Sequence, residues 1–319
     1  MSGSRIQALA LMGPTASGKT ECAVELVRRW PFEIISVDSA MIYRGMDIGS
    51  AKPGPDVLAL APHRMIDILD PAQGFSAYEY ARQARRHIEE VHAAGRIPLL
   101  VGGARLYFLA LMEGLSHVPD ADSEVRERLR HELEEQGAPA LHERLSRCDP
   151  LTAQRLKPGD SQRIVRALEV FESSGRPMSA WISEPPQVPG NIDYHQLALW
   201  PKDRAHLQER IGERFDRMLE AGLVGEVRGL HARKDLNLTS PAMRCVGYRQ
   251  AWRHLDGGCT YEQMREQAVA ATRQLAKRQL SWLRHAPDVI HCATDCLRPD
   301  EAVAAVARWR SSGRGGARQ

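Results

Sequence analysis

The eight residues Gly13-Pro14-Thr15-Ala16-Ser17-Gly18-Lys19-Thr20 constrain this chain more than any other stretch. They stand directly between an apolar run, Ile6 to Met12, and an amphipathic helical pattern, Glu21 to Arg29. Strand, Gly-rich turn and helix in that order build a phosphate-binding P-loop. Backbone N–H groups and a helix N-terminus converge on an anion, the Lys adds a mobile charge, and the Thr hydroxyl can ligate Mg²⁺. All eight residues are therefore expected to hold a diphosphate, with Lys19 also serving the chemistry and Thr20 the metal. The pattern does not say what the phosphates are attached to. A nucleotide such as ATP and any other diphosphate ester fit equally.

Further short apolar runs read as strands buried on both faces: Ile34 to Val37, Met65 to Leu69, Ile97 to Val101, and later Ile192 to Leu199. Helical patterns separate them. One begins at Ser76, with Glu79 in capping-box register, and stops at Gly95. Strands alternating with helices predict an α/β fold, a P-loop NTPase-like parallel sheet flanked by helices. From about Asp120 to Gly175 strand signals vanish and charged helical patterns follow one another: Ser123 to Gln136, Pro139 to Arg147, and Asp160 to Ser174. This is expected to be an all-helical insertion domain. Pro185, Pro186, Pro189 and Gly190 suit a return linker. After Leu199 the pattern is again helical, most clearly Tyr261 to His285, which opens with Thr260 and Gln263 in capping-box register. The expected organisation is a first part of the core at 1–115, the insertion at 116–190, completion of the core with basic C-terminal helices at 191–310, and a disordered Gly/Ser/Arg-rich tail at 311–319.

Composition narrows the function classes. In 319 residues, 43% hydrophobic and 26% charged content supports a full core and excludes a disordered chain. A net charge of +3 permits a polyanionic partner without requiring one, so the placement of charge decides. Six cysteines lie far apart, and the one close pair, Cys292 and Cys296, has only His291 beside it. That spacing argues against zinc and for reduced thiols in a cytosolic protein. The N-terminus reads as a strand, without a signal-peptide cleavage site, and no apolar stretch is long enough to span a bilayer. A cytoplasmic protein, not bound to membranes and monomeric, is expected.

After the second strand comes Asp38-Ser39-Ala40-Met41-Ile42-Tyr43-Arg44. It places a carboxylate at the carboxyl edge of the sheet, where open α/β folds bind ligands. Asp38 can act there as a base, contribute to a magnesium shell, or simply cap a turn.

The run from Asp38 through Tyr43-Arg44-Gly45-Met46-Asp47-Ile48-Gly49-Ser50-Ala51-Lys52-Pro53, behind this P-loop, resembles the tRNA dimethylallyltransferases, the bacterial tRNA-prenylating enzymes. Further landmarks follow in matching order: His63-Arg64-Met65-Ile66-Asp67, Gly102-Gly103 with Leu106-Tyr107, Gln162-Arg163 with Arg166-Ala167-Leu168-Glu169-Val170, Arg244-Cys245-Val246-Gly247-Tyr248-Arg249, and Lys277-Arg278-Gln279-Leu280 with Trp282. The resemblance covers nearly the whole chain. It departs at two positions, Met41 and Ala104, where the family usually has Gln and Thr.

The resemblance implies a transferase that moves a dimethylallyl group from dimethylallyl diphosphate to the exocyclic amine of the adenosine 3′ to the anticodon of tRNA, releasing diphosphate. Amides of the P-loop, Lys19 and Mg²⁺ suit the leaving group, and Asp38 suits the amine proton. It further implies that Arg126 reaches the reacting groups and that Asp38, Ser39, Ala40, Met41, Ala104, Gln162 and Arg163 meet the tRNA anticodon stem-loop. On residues alone, Arg126 and the arginines 163 and 166 are equally well solvated helix charges. Arg273, Lys277 and Arg284 fall on one broad face of the last long helical pattern, with Arg278 to its side, a stripe suited to phosphates. Arg244 and Arg249 flank Cys245, Val246, Gly247 and Tyr248 in a turn that can present them to the same backbone or leave them in solvent. The competing readings are a P-loop small-molecule kinase, a prenyltransferase acting on free adenine nucleotides, and a non-catalytic RNA-binding protein.

Overall fold

The computed structural model describes residues 5–116, 118–119, 122–184, 190–294 and 299–312. Cys296, the Pro185 to Pro189 part of the expected linker and the tail beyond Ser312 lie outside them. The chain divides into two compact units, Met1–Met112 with Pro189–Gln319, and Glu113–Val188.

The larger unit is built on six strands: β1 Ile6–Met12, β2 Phe32–Val37, β3 His63–Arg64, β4 Ile97–Gly102, β5 Ile192–Pro201 and β6 Val289–Thr294. All neighbours run parallel in the order β3-β2-β4-β1-β5-β6. Two helices, α1 Lys19–Arg29 and α3 Ala77–Ala93, pack beside these strands, and a short helix, α2 Pro55–Leu60, precedes β3. A fourth, α4 Arg105–Met112, follows β4. Burial of all of β4 and of β1 but for Gln7 is what a parallel sheet covered on both faces requires. Ser76 caps α3 as expected, its hydroxyl accepting from Glu79 N at 3.1 Å.

The smaller unit is helical: α5 Ser123–Cys148, α6 Pro150–Arg155, α7 Ser161–Ser174 and α8 Met178–Ile182. α5 is broken at Gly137, φ 78° and ψ 165°, just before Pro139, so its two halves match the two helical patterns in the sequence. Leu129, Leu141, Leu145, Ile164 and Leu168 form a core of its own.

The chain then returns to the larger unit with α9 Arg204–Glu220, α10 Leu223–His231, α11 Tyr248–Leu255, α12 Tyr261–His285 and α13 Asp300–Ser311. α12 opens with a reciprocal capping box: Gln263 N donates to Thr260 Oγ1 at 3.2 Å and Thr260 N to Gln263 Oε1 at 3.0 Å.

Two readings of the sequence are corrected. Met65 to Leu69 is not a strand. Met65 and Asp67 take φ of 63° and 54°, which breaks the pleat, and only His63–Arg64 pairs with β2. The segment is a loop, buried at Met65 and exposed at Asp67, pinned to its neighbour: Asp67 N donates to Met41 O, Ile68 N to Ile42 O, and the buried Lys52 ammonium bonds Asp67 and Asp47. Conversely, Val289–Thr294, inside a stretch read as helical, is the edge strand β6 paired along β5.

Candidate active site

Three adjacent strands end in register. Met12 pairs with Gly102, and Gly102 with Val37, so the P-loop, the Gly103-Ala104 turn and Asp38 leave the sheet in one row. Two inter-strand spacings, roughly 10 Å, separate the start of the P-loop from Asp38. This row is the crevice in which open α/β sheets bind ligands.

The P-loop is held in an anion-binding shape. Gly18, at φ 85°, is the N-cap of α1, and Ala16 takes φ 63° although it carries a side chain. Such a residue persists only where its surroundings fix it, and here Arg210 Nε donates to Ala16 O at 3.3 Å while Ser17 N donates to Pro14 O at 3.3 Å. The amides of Ala16, Gly18 and Thr20 have no acceptor among the described residues, and the fully buried Ser17 Oγ has no partner there. A buried hydroxyl left in this way calls for a ligand oxygen. Lys19 Nζ is turned onto the loop itself, donating to Gly13 O at 3.0 Å and Pro14 O at 2.6 Å. Thr15 departs from expectation: its N–H is committed to Gln279 Oε1 at 2.9 Å.

Asp38 divides its two oxygens. Oδ1 accepts from Ala40 N at 2.8 Å and Met41 N at 3.3 Å, closing the turn, whereas Oδ2 accepts no hydrogen bond among the described residues. The turn-capping role and a chemical role are thus compatible. Several neutral groups feel its charge. Burial first, then the charge of Asp38, pushes the Cys245 thiol up to about 12. Burial likewise pushes Tyr43 up to about 12. Tyr107 and Tyr80 are raised by burial with Asp38 among the further causes. Their rings stack at 4.1 Å, and Tyr80 OH donates to Ser36 O at 2.9 Å.

The sequence reading passed over Arg214. It is half-buried, with a pKa lowered by desolvation and held up by Asp38 and then Glu21. No hydrogen bond or ion pair engages it among the described residues. A guanidinium that feels both Asp38 and the first turn of α1, and has no acceptor, is placed for an anionic ligand. The available signal was its four-residue spacing from Arg210, which puts both on one side of α9.

Ser39 is exposed, and Ala40 and Met41 are half-buried; Met41 Sδ accepts from Ser36 Oγ at 3.9 Å. Ala104, also half-buried, donates its N–H to Val37 O at 3.2 Å. Arg244 and Arg249 are exposed on either side of the half-buried Cys245 and Val246. Gly247, at φ 92°, is the N-cap of α11. Tyr248 is not at the surface: it is fully buried, and its hydroxyl donates to Glu226 Oε1 at 2.5 Å. Glu226 also accepts from the amides of Asp47, Ile48 and Gly49, so Tyr248 braces that loop. On α12, Arg273, Lys277 and Arg278 are all exposed.

In the helical unit, Arg126 Nε donates to the buried Glu169 at 3.4 Å, and Arg166 lies 3.6 Å from the same carboxylate while donating to Pro119 O at 2.9 Å. Arg163 bonds Asp160 at 2.7 Å, and Gln162 is exposed. Among the described residues no three His, Cys, Asp or Glu side chains gather into a metal cage, and no helix is long and apolar enough to cross a membrane.

The sequence profile of the IPP transferase family matches residues 41–286. A tRNA dimethylallyltransferase of Thiobacillus denitrificans is 57% identical over 293 residues, covering 92% of this chain and 93% of that protein. One from Thioalkalivibrio sulfidiphilus is 54% identical, covering 97% of each. Among solved structures, a tRNA isopentenylpyrophosphate transferase of Bacillus halodurans superposes with a TM-score of 0.69 at 32% identity, over 98% of this chain and 97% of that one. A eukaryotic dimethylallyltransferase acting on tRNA shares the fold, with a TM-score of 0.79 at 22% identity over 98% of this chain and 81% of that one. The P-loop, the Asp38 turn and the helices behind them belong to a chain that is a member of the IPP transferase family.

Proposed function

We propose that this chain transfers a dimethylallyl group from dimethylallyl diphosphate to the exocyclic amine of the adenosine 3′ to the anticodon in tRNA, acting in the cytoplasm as a monomer. The observation that carries this reading is the whole-length likeness to relatives named for that reaction. The site is consistent with it in chemistry.

Diphosphate leaves when its charge is neutralised. The unused amides of Ala16, Gly18 and Thr20, the orphaned Ser17 hydroxyl, Lys19 swung off its own carbonyls, and Arg214 supply preorganised donors for that charge. The donor set also fits Mg²⁺, which commonly takes one or two protein oxygens and completes its shell with phosphates and water. Thr20 Oγ1 is the protein oxygen that would hold it, which leaves Asp38 Oδ2 for the amine. When bound, Mg²⁺ supplies further neutralisation of the leaving group. The uncharged wall of Tyr43, Tyr107 and Cys245 suits the hydrocarbon tail. As the amine attacks the allylic carbon and the C–O bond to diphosphate breaks, Asp38 Oδ2 takes the amine proton while Oδ1 stays locked to the turn. An adenosine stacked inside a loop does not reach such a site, so the base is flipped out.

The test is incubation of the purified protein with radiolabelled dimethylallyl diphosphate and Mg²⁺, with and without tRNA, against labelled ATP as competitor donor. Label passing from the prenyl donor to tRNA is expected. Label passing only from ATP, or only onto free adenine nucleotides, overturns the reading.

A further inference from the structure

Gln279 lies on α12, 264 residues along the chain from the P-loop it touches. Its side-chain amide makes two bonds at once. Oε1 accepts from Thr15 N at 2.9 Å, and Nε2 donates to Gly103 O at 2.9 Å. Because one partner is an N–H and the other a carbonyl, the orientation of the amide is fixed by chemistry. It therefore ties together the first turn of the P-loop and the turn after β4.

The fit leaves no slack. A Cβ built on Gly103 would stand 2.3 Å from Gln279 Nε2 and 3.0 Å from Gly13 O. Only a residue without a side chain lets the β4 turn, the P-loop and the amide meet. Gln279 is half-buried, between Leu280 in the core and the exposed Lys277 and Arg278. One helical turn thus carries both a clamp on the donor loop and part of the basic stripe.

We infer that Gln279 is a positioning residue of the donor site, setting the register of the P-loop amides by holding Thr15 N–H away from the ligand and against α12. Without the clamp, the first turn of the loop relaxes, and the amides of Ala16, Gly18 and Thr20 no longer converge. The effect falls on the diphosphate. RNA contacts made by the outer face of α12 do not depend on it. The inference rests on the diphosphate reading of the P-loop.

Binding of inorganic diphosphate with Mg²⁺ to the full chain, measured by calorimetry, and donor KM and tRNA Kd in the transfer assay test it. Gln279→Met keeps the length and removes both hydrogen bonds. It is expected to weaken diphosphate binding and raise donor KM by roughly tenfold, the scale of one or two net hydrogen bonds, with tRNA Kd unchanged. Gln279→Glu keeps the acceptor for Thr15 N–H but sets a carboxylate oxygen against Gly103 O. Its donor KM is expected to improve towards wild type as pH falls from 8 to 6, because protonation restores the donor; wild type and Gln279→Met have no such pH profile. Gly103→Ala strikes the same amide from the opposite side. It should raise donor KM by itself and add little to Gln279→Met. Wild-type protein that binds no diphosphate would overturn the reading of the site and this inference with it. Wild-type protein that binds diphosphate, with Gln279→Met binding it within twofold and showing the same donor KM, overturns this inference alone.

Discussion

Seven arginines of the helical unit stand in a different electrostatic state from Arg273, Lys277 and Arg278 in the middle of α12, a helix whose Arg265 is itself paired with Asp216. In the helical unit, Arg126 and Arg166 share Glu169, Arg128 and Arg144 share Glu172, and Arg130, Arg147 and Arg163 each have a carboxylate on their own helix or cap. On α12, Lys277 and Arg278 are exposed with no carboxylate partner among the described residues, and Arg273 reaches only a backbone carbonyl, Gln208 O, at 3.4 Å. Paired charges stabilise a small unit internally, whereas unpaired ones keep their full attraction for a polyanion. The active-site row resembles α12 in this respect, with Asp38 Oδ2, Ser17 Oγ and Arg214 all lacking partners among the described residues.

Breaking the comparison at the reaction centre should give the largest effect. Asp38→Asn keeps the size and the turn but removes basicity, and kcat is expected to fall by roughly two to four powers of ten with donor and tRNA affinities nearly intact. Single-turnover kinetics with saturating tRNA measure this. A retained kcat removes the base role, and a collapsed donor affinity with kcat preserved moves Asp38 to the magnesium shell.

The next effect sharpens the contrast between the two sets of cations. Replacing Arg273, Lys277 and Arg278 together by Ala should weaken tRNA binding by about a hundredfold at moderate salt. It should also flatten the log Kd against log salt slope by about two, as loss of phosphate contacts does. Arg128→Ala with Arg144→Ala, which removes two charges from the helical unit, should leave that slope unchanged in the same filter-binding titration. Equal slopes for the two variants would dissolve the comparison.

Glu172→Ala leaves Arg128 and Arg144 without their shared carboxylate and should lower stability by about 1 kcal/mol, a few degrees in a melting scan, with no change in donor KM. The smallest effect concerns pH. His195 stacks on Trp309 at 4.9 Å, and burial lowers its pKa below the ordinary 6.5. Its folded state resists protonation, so stability is complete above about 6.5 and declines as pH falls towards the lowered value. His195→Phe, which keeps the stack and removes the titration, should flatten the fall in melting temperature between pH 7 and 5.5 by a degree or two. An unchanged fall would assign it to other groups, His63 among them.

What could be read in the sequence was local. The P-loop, the caps at Ser76 and Thr260 and the break at Gly137 depend on residues within one turn of one another, so spacing alone exposes them. Asp38 was legible in position but not in its division of labour, because nothing in a sequence says which oxygen meets Ala40 N. Met65 to Leu69 misled because a loop crossing the sheet edge can bury apolar side chains as a strand does. Its φ values are set by partners at Met41, Ile42 and Lys52. Tyr248, Arg214 and Gln279 were misplaced or passed over for one reason: their meaning lies in contacts with Glu226, Asp38 and Thr15, brought together only by the fold.

The resting position of Lys19 bears on ligand choice. Its ammonium already sits against two carbonyl oxygens of its own loop, so a ligand does not find a bare cation; it must displace an existing arrangement. Recruitment of Lys19 is then an exchange of acceptors, favourable only when the incoming oxygens carry more charge than a peptide carbonyl does. Prenyl alcohols offer neutral oxygens and would leave the lysine where it rests. Monophosphates would draw it only in part. If the loop holds the donor as proposed, it would discriminate by the charge of the leaving group before any feature of the prenyl chain is tested.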